Sequence, residues 1–209
     1  MKSKKGNGSM KIYDISQEVF GCAVYPGDPV PKKETLCSTD KGDLYNLTAF
    51  SMCAHNGTHI DAPFHFLKDG KTVEKISLER MVGFSFVMTH DGELSAKDAA
   101  YILNKAKTCH PDAAKRILIK GKATVTLSAA EFFAKAGVFL LGVESQSIGP
   151  EDAPMAVHLA LLKKEVVLLE GLRLSEVKEG EYFLCAASLA LAGSDGAPCR
   201  AVLLSFENL

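Results

Sequence analysis

With 209 residues, 47% hydrophobic and 23% charged, the sequence is sized for one substantial domain with its own core. A formal net charge of −1 gives no electrostatic reason for a nucleic acid or an anionic membrane as partner, and no apolar run approaches the ~18 residues of a membrane span. The six cysteines form no CxxC pair and the opening shows no signal peptide, so reduced thiols and a cytoplasmic location are expected.

Residues 1–9, MKSKKGNGS, are polar and basic and read as a loose tail before a single domain, 10–209. MKIYDIS (10–16) alternates apolar and polar residues as a strand does, and VYPGDPVP (24–31) carries turn chemistry. YNLTAFSMCAH (45–55) is rich in β-branched and aromatic residues, and GFSFVMTH (83–90) is a further strand candidate. A helix is expected over 95–107, opened by the pair Ser95 and Asp98, then a buried strand at 116–121. A second helix is expected over 128–137, with Ser128 as N-cap, Glu131 completing the box and Gly137 just past the end. Strand 138–144, helix 154–165 and strand 166–171 follow, and two apolar strands close the chain. Strands and helices alternate through the middle while both ends are strand-rich, which predicts an α/β fold.

Half of the chain's six histidines fall in HNGTHIDAPFHF, residues 55–66. His55, His59, Asp61 and His65 stand at even offsets, so an extended chain would turn all four to one face. A helix would scatter them, and Pro63 argues against one. A straight strand is also excluded as a common site, because four residues of strand span about 13 Å. Two imidazoles bound to one ion at about 2.0–2.1 Å could not bridge that gap. The segment must therefore curl, with Gly57 and Pro63 as the bending residues. Imidazole and carboxylate are the usual ligands of a catalytic zinc that keeps an open position, and Thr58 is a candidate either to hydrogen-bond a ligand or to fix the turn.

Two residues farther along bear on the rest of the shell. His158 sits among apolar helical neighbours, where a lone histidine reads more readily as a core residue than as a ligand. Glu170 ends the run VVLLE, where a desolvated carboxylate needs a partner and a cation would supply one.

HNGTHIDAPFH resembles the H-x-G-T-H-x-D-x-P-x-H signature of the metal-dependent cyclase-like hydrolases, a family that includes arylformamidases and isatin hydrolases. VYPGDP, GVFLLGVESQSIGP and HLALLKKEVVLLEGL resemble further segments of that family, in the same order, from about residue 11 to the C-terminus. The resemblance implies a swivelling β/β/α arrangement in a single compact domain, a homodimer or larger homo-oligomer, and two divalent ions per subunit, zinc or else manganese. His55, His59 and Asp61 would bind one ion, Asp61 would bridge to a second held by His158 and Glu170, and His65 would donate and accept protons. The implied reaction is attack of a metal-bound hydroxide on an amide, N-formylkynurenine giving kynurenine and formate in tryptophan catabolism.

Tyr25 falls where arylformamidases commonly carry a substrate-stacking Trp, and VESQS (143–147) departs from the stretch they have there. Gln146 and Ser147 are candidates for hydrogen bonds to substrate. These departures keep open a cyclic imide, lactam or lactone as substrate. A non-catalytic binding protein is the remaining alternative.

Overall fold

The computed structural model describes residues 9–207. Most of the expected tail lies outside the described residues, apart from Ser9, which begins the first strand. In chain order the strands are β1 (Ser9–Asp14), β2 (Lys32–Cys37), β3 (Leu47–Ser51), β4 (His59–Asp61), β5 (Val82–Thr89) and β6 (Gly92–Leu94). Helix α1 (Ala96–Cys109), β7 (Arg116–Lys120), β8 (Ala123–Val125), α2 (Leu127–Lys135), β9 (Leu140–Val143) and α3 (Met155–Leu162) follow. The chain ends with β10 (Val167–Glu170), β11 (Gly180–Cys185), β12 (Gly196–Pro198) and β13 (Val202–Glu207).

Nine strands form one sheet in the order β1-β13-β11-β5-β7-β9-β10-β4-β12. The central run β5-β7-β9-β10 is parallel, and antiparallel strands extend it on both sides. Parallel strands are buried on both faces and read as unbroken apolar runs, which explains RILIK, LLGV and VLLE. Alternate residues feed two cores. Ile117, Leu141 and Leu168 pack with Phe133 of α2 and Leu161 of α3, whereas Leu118, Leu140 and Leu169 pack with Ile15, Ile60 and Leu184 on the opposite face. The result is the expected mixed α/β single domain, with its helices on one side of the sheet.

Helix α1 starts as expected, with Ser95 and Asp98 forming a reciprocal capping box. Helix α2 differs. Its N-cap is Thr126, whose hydroxyl accepts from the Ala129 amide and donates to the Leu94 carbonyl, so the cap is fixed by the adjacent strands. Ser128 and Glu131 are exposed residues inside the helix. Helix α3 stops at Leu162, short of the expected end, and Glu165 closes the turn with a φ of 57°. The strands that sequence periodicity missed are short or lie outside the main core: β6 and β8 pair only with each other, and β12 adds three residues to the sheet edge.

Strand β4 lies between β10 and β12, with Glu170 opposite His59 and Gly196 opposite Asp61. That register brings residues separated by more than a hundred positions to one end of the sheet.

Candidate metal centre

The segment from β3 to β4 curls in two steps. Gly57 adopts a φ of 68°, a left-handed conformation that favours glycine, and redirects the loop into β4. Within β4, His59 and Asp61 share one face while Ile60 points into the opposite core, as the two-residue period of a strand demands. Pro63 then opens a single 3-10 turn, Pro63–His65, whose fixed φ suits the first position. That turn swings His65 back over the strand.

Four buried residues meet at this point, none more than 3% exposed: His59, Asp61, His158 and Glu170. His59 Nε2 lies 3.4 Å from Asp61 Oδ1 and 3.4 Å from Glu170 Oε2. His158 Nε2 lies 3.4 Å from Glu170 Oε1 and 3.7 Å from Asp61 Oδ2. His55, slightly exposed, reaches Asp61 Oδ1 with Nδ1 at 2.8 Å.

The other ring nitrogens are already engaged. His59 Nδ1 donates to the Gly57 carbonyl at 3.1 Å and His158 Nδ1 to the Pro154 carbonyl at 2.8 Å. Both rings are thereby held with Nε2 facing the carboxylates, the arrangement in which imidazoles offer a lone pair to a cation. His59 Nε2 is buried and has no hydrogen-bond partner, a costly state for a polar atom unless something else occupies it. One ligand atom each from His55, His59 and Asp61, and again from Asp61, His158 and Glu170, lies within 4.8 Å of the others in its set. The donor types, the burial and the orphaned nitrogen all fit a divalent ion.

Electrostatics point the same way. Burial opposes a charge on His55, yet the hydrogen bond and charge of Asp61, with help from Asp195, push it up to about 9. Burial likewise opposes charge on His59, and Asp61 and Glu170 override it, raising the ring to about 10. His158 moves up against its own burial, chiefly through Glu170. Asp61 is fully buried, which favours its neutral form, but His55 and His59 hold it well below the ordinary carboxylate range. The two buried carboxylates draw positive charge to this spot, and without an ion only protons on the rings supply it.

A cavity of about 220 Å³ opens onto the cluster, with Tyr25, Asp28, Phe66, Gln146 and Ser147 on its walls. A second cavity of about 340 Å³ shares Tyr25, Gln146 and Ser147 with it. His65 is half-buried at the first cavity, its ring 4.2 Å from that of His55 and 6.2 Å from that of His158. Thr58 sits behind the cluster, its hydroxyl donating to the Gly171 carbonyl at 2.7 Å and accepting from the Gln17 amide at 2.9 Å. It ties the loop before β4 to the end of β10.

Three participants were not singled out from the sequence. Phe66 packs between His65 and His158, with ring separations of 4.6 and 4.7 Å. Gln17 bonds Gln146 at 2.6 Å and the Gly171 carbonyl at 2.8 Å. Asp195 accepts from both His55 and His65. Its local sequence, GSDGAP, reads only as a turn, so its position beside β4 emerges from the sheet alone.

The family model described as putative cyclase matches residues 12–123, more than half of the chain. The chain belongs to this cyclase family. A kynurenine formamidase from Bacillus anthracis is 33% identical, over 92% of this chain and 97% of its own length. One from Erythrobacter litoralis is 30% identical, over 92% and 93%. Among solved structures, a potential metal-dependent hydrolase with cyclase activity is 30% identical and superposes with a TM-score of 0.80, covering 95% of this chain and all of that one. Isatin hydrolase A from Labrenzia aggregata, at 21% identity and a TM-score of 0.80, covers 95% of this chain and 94% of its own, a likeness of fold. The cyclase family and the buried donor sets together support a divalent metal as cofactor.

Proposed function

We propose that this cyclase-family hydrolase cleaves the amide of an N-formyl arylamine, converting N-formylkynurenine to kynurenine and formate. The observation that carries the hydrolytic reading is the unpartnered Nε2 of His59, buried between Asp61 and Glu170 at the inner wall of an open cavity. The choice of substrate is supported by the kynurenine formamidases that match nearly the whole chain.

His55, His59 and Asp61 would hold one ion, and Asp61, His158 and Glu170 a second, with zinc the first choice and manganese the alternative. When bound, such an ion acts as a Lewis acid and lowers the pKa of water from 15.7 to about 7. The protein's own groups do the rest. Tyr25 offers a flat face to the aryl ring at the cavity mouth, and Gln146 and Ser147 offer polar atoms to the substrate's remaining groups. His65, above the cluster, delivers a proton to the leaving arylamine nitrogen, a transfer worth about 10²–10⁴-fold in rate. Thr58 keeps the β4 loop in register with β10.

A homodimer or larger homo-oligomer belongs to this proposal, supported by the outlying β2–β3 hairpin, which exposes Leu36, Leu47 and Phe50. The single domain over 10–209 and a cytoplasmic setting belong to it as well. No helix among the described residues is long and apolar enough to cross a membrane.

The test is turnover of N-formylkynurenine and of isatin by zinc-loaded protein, followed by product chromatography. Formamide cleavage that is lost in His65→Ala is the expected result. Opening of isatin alone would transfer the reading to cyclic substrates, and inactivity on both would overturn it.

A further inference from the structure

We infer that Asp195 is a positioning residue that sets the tautomers of His55 and His65 together. A single oxygen, Oδ2, lies 2.8 Å from His55 Nε2 and 3.0 Å from His65 Nδ1. A carboxylate oxygen only accepts, and its two lone pairs can serve two donors. Both of those ring nitrogens therefore carry hydrogen. His55 Nδ1 donates in turn to Asp61 Oδ1 at 2.8 Å while no ion is present, and it is the nitrogen that would give up its hydrogen to an ion in the set it forms with His59. His65 is left with Nε2 as its remaining proton-transfer atom. The shared acceptor also explains why the two rings lie nearly stacked, 4.2 Å apart and tilted by 33°.

The carboxylate is well anchored for a residue whose side chain is 40% exposed. Its own carbonyl accepts from the Ala62 amide at 2.9 Å, just past the end of β4. The next residue, Gly196, faces Asp61 across the β4–β12 pair. A Cβ on Gly196 would stand 2.7 Å from the Ile60 carbonyl and 2.8 Å from His55 Cε1, so only glycine lets the His55 ring lie against this strand. Strand β12 therefore grips the His55 ring from one side and presents Asp195 to its outer nitrogen. An exposed carboxylate that merely closed an ion pair would be worth little, and its loss would pass almost unnoticed. An oxygen that accepts twice does more: an asparagine oxygen, with two lone pairs of its own, can take its place, whereas alanine leaves both rings without their common acceptor.

The role of His65 in this inference rests on the hydrolase reading, whereas the tautomers do not, and the test uses that separation. Wild type, Asp195→Ala, Asp195→Asn and His65→Ala are compared in the full chain, zinc-free and zinc-loaded. Ring-nitrogen NMR is expected to find neutral His65 in wild type with hydrogen on Nδ1 and a bare Nε2, a mixture in D195A, and recovery in D195N, which keeps an accepting oxygen. D195A is expected to bind zinc about 10–100-fold more weakly, the usual effect of removing a carboxylate behind a ligand histidine. At saturating zinc, its kcat deficit is expected to be larger on formanilide than on 4-nitroformanilide, whose leaving amine needs a proton less. The inference is overturned if wild-type His65 carries its hydrogen on Nε2, or if D195A keeps the wild-type tautomer and zinc affinity. If wild type turns over no formamide, the hydrolase reading falls, and the NMR and zinc measurements still decide the role of Asp195.

Discussion

On the inner wall of the cavity, His59, Asp61, His158 and Glu170 hang from two strands and a helix and are nearly inaccessible to water. At its mouth, Tyr25, Asp28, Gln146 and Ser147 come from two loops and keep part of their surface in solvent. The wall is fixed by sheet register and by ring nitrogens tied to backbone carbonyls, so each donor has one orientation. The mouth is fixed by side-chain bonds such as Gln17 to Gln146, which a substitution can rearrange at little cost to the fold. This contrast predicts that changes in the wall remove the chemistry and that changes at the mouth alter which substrate is accepted.

The strongest way to break that contrast is to alter Asp61, the one residue common to both buried donor sets. Asp61→Asn is expected to lower zinc affinity by more than the about 10–100-fold carried by a ligand's hydrogen-bond partners, and to bring formamide turnover below detection. Elemental analysis after stripping and reloading, beside Glu170→Gln, which removes a ligand from only one set, checks it. Normal zinc content in the Asp61 variant would show that the wall is not the metal site.

His65 comes next in size, because it faces the cavity between the two regions. His65→Ala should cut kcat by about 10²–10⁴-fold while zinc content stays unchanged. A variant that loses zinc in proportion to activity would make His65 a ligand and move it to the wall.

The two regions also differed in how far the sequence revealed them. The β4 part of the wall was legible because it lies among three histidines and an aspartate at even offsets, with Gly57 and Pro63 between them, which leave few geometries in which all four are useful. The alternating centre and strand-rich ends likewise announced the α/β sheet, since parallel strands must be apolar on both faces. His158 and Glu170 were ambiguous singly, because a lone buried histidine has many innocent explanations; Glu170 reaches His59 through the pairing of β10 with β4, and His158 reaches Glu170 from α3, packed beside β10. Asp195 was invisible for a related reason: β12 is three residues long, and its partner strand is more than a hundred residues earlier. The cap of α2 was misplaced by local pattern, since Ser128 fits the motif but Thr126 alone can also reach the Leu94 carbonyl.

Titration gives a third, smaller separation. In the metal-free protein His55 and His59 hold their protons up to about 9 and about 10, above the ordinary histidine value near 6.5. Groups raised in this way stabilise the fold fully below about pH 6.5, and that contribution is lost as pH climbs through the folded values. The melting temperature of metal-free protein should therefore fall between about pH 7 and pH 10. Zinc must displace the same protons, so its apparent affinity should rise about tenfold per pH unit for each proton displaced across that window. Calorimetry of the two forms checks both signs, and a metal-free protein whose melting temperature is flat across the window would show that the wall carries no such protons. Substitutions at the mouth should leave both slopes unchanged.

The mouth itself should yield the smallest effect, and it should appear in KM. Tyr25 is held by a tight turn in which its carbonyl accepts from the Asp28 amide at 3.0 Å, and its half-buried ring lines both cavities. An aromatic contact of this kind is worth about 0.5–1.5 kcal/mol, so Tyr25→Ala should raise KM for N-formylkynurenine about 2- to 12-fold with little change in kcat. Tyr25→Trp offers a larger face at the same point and should bring KM to the wild-type value or below it. If Tyr25→Ala instead lowers kcat as much as His65→Ala does, the side chain takes part in the reaction itself, and the division between a chemical wall and a selective mouth fails at its most exposed residue.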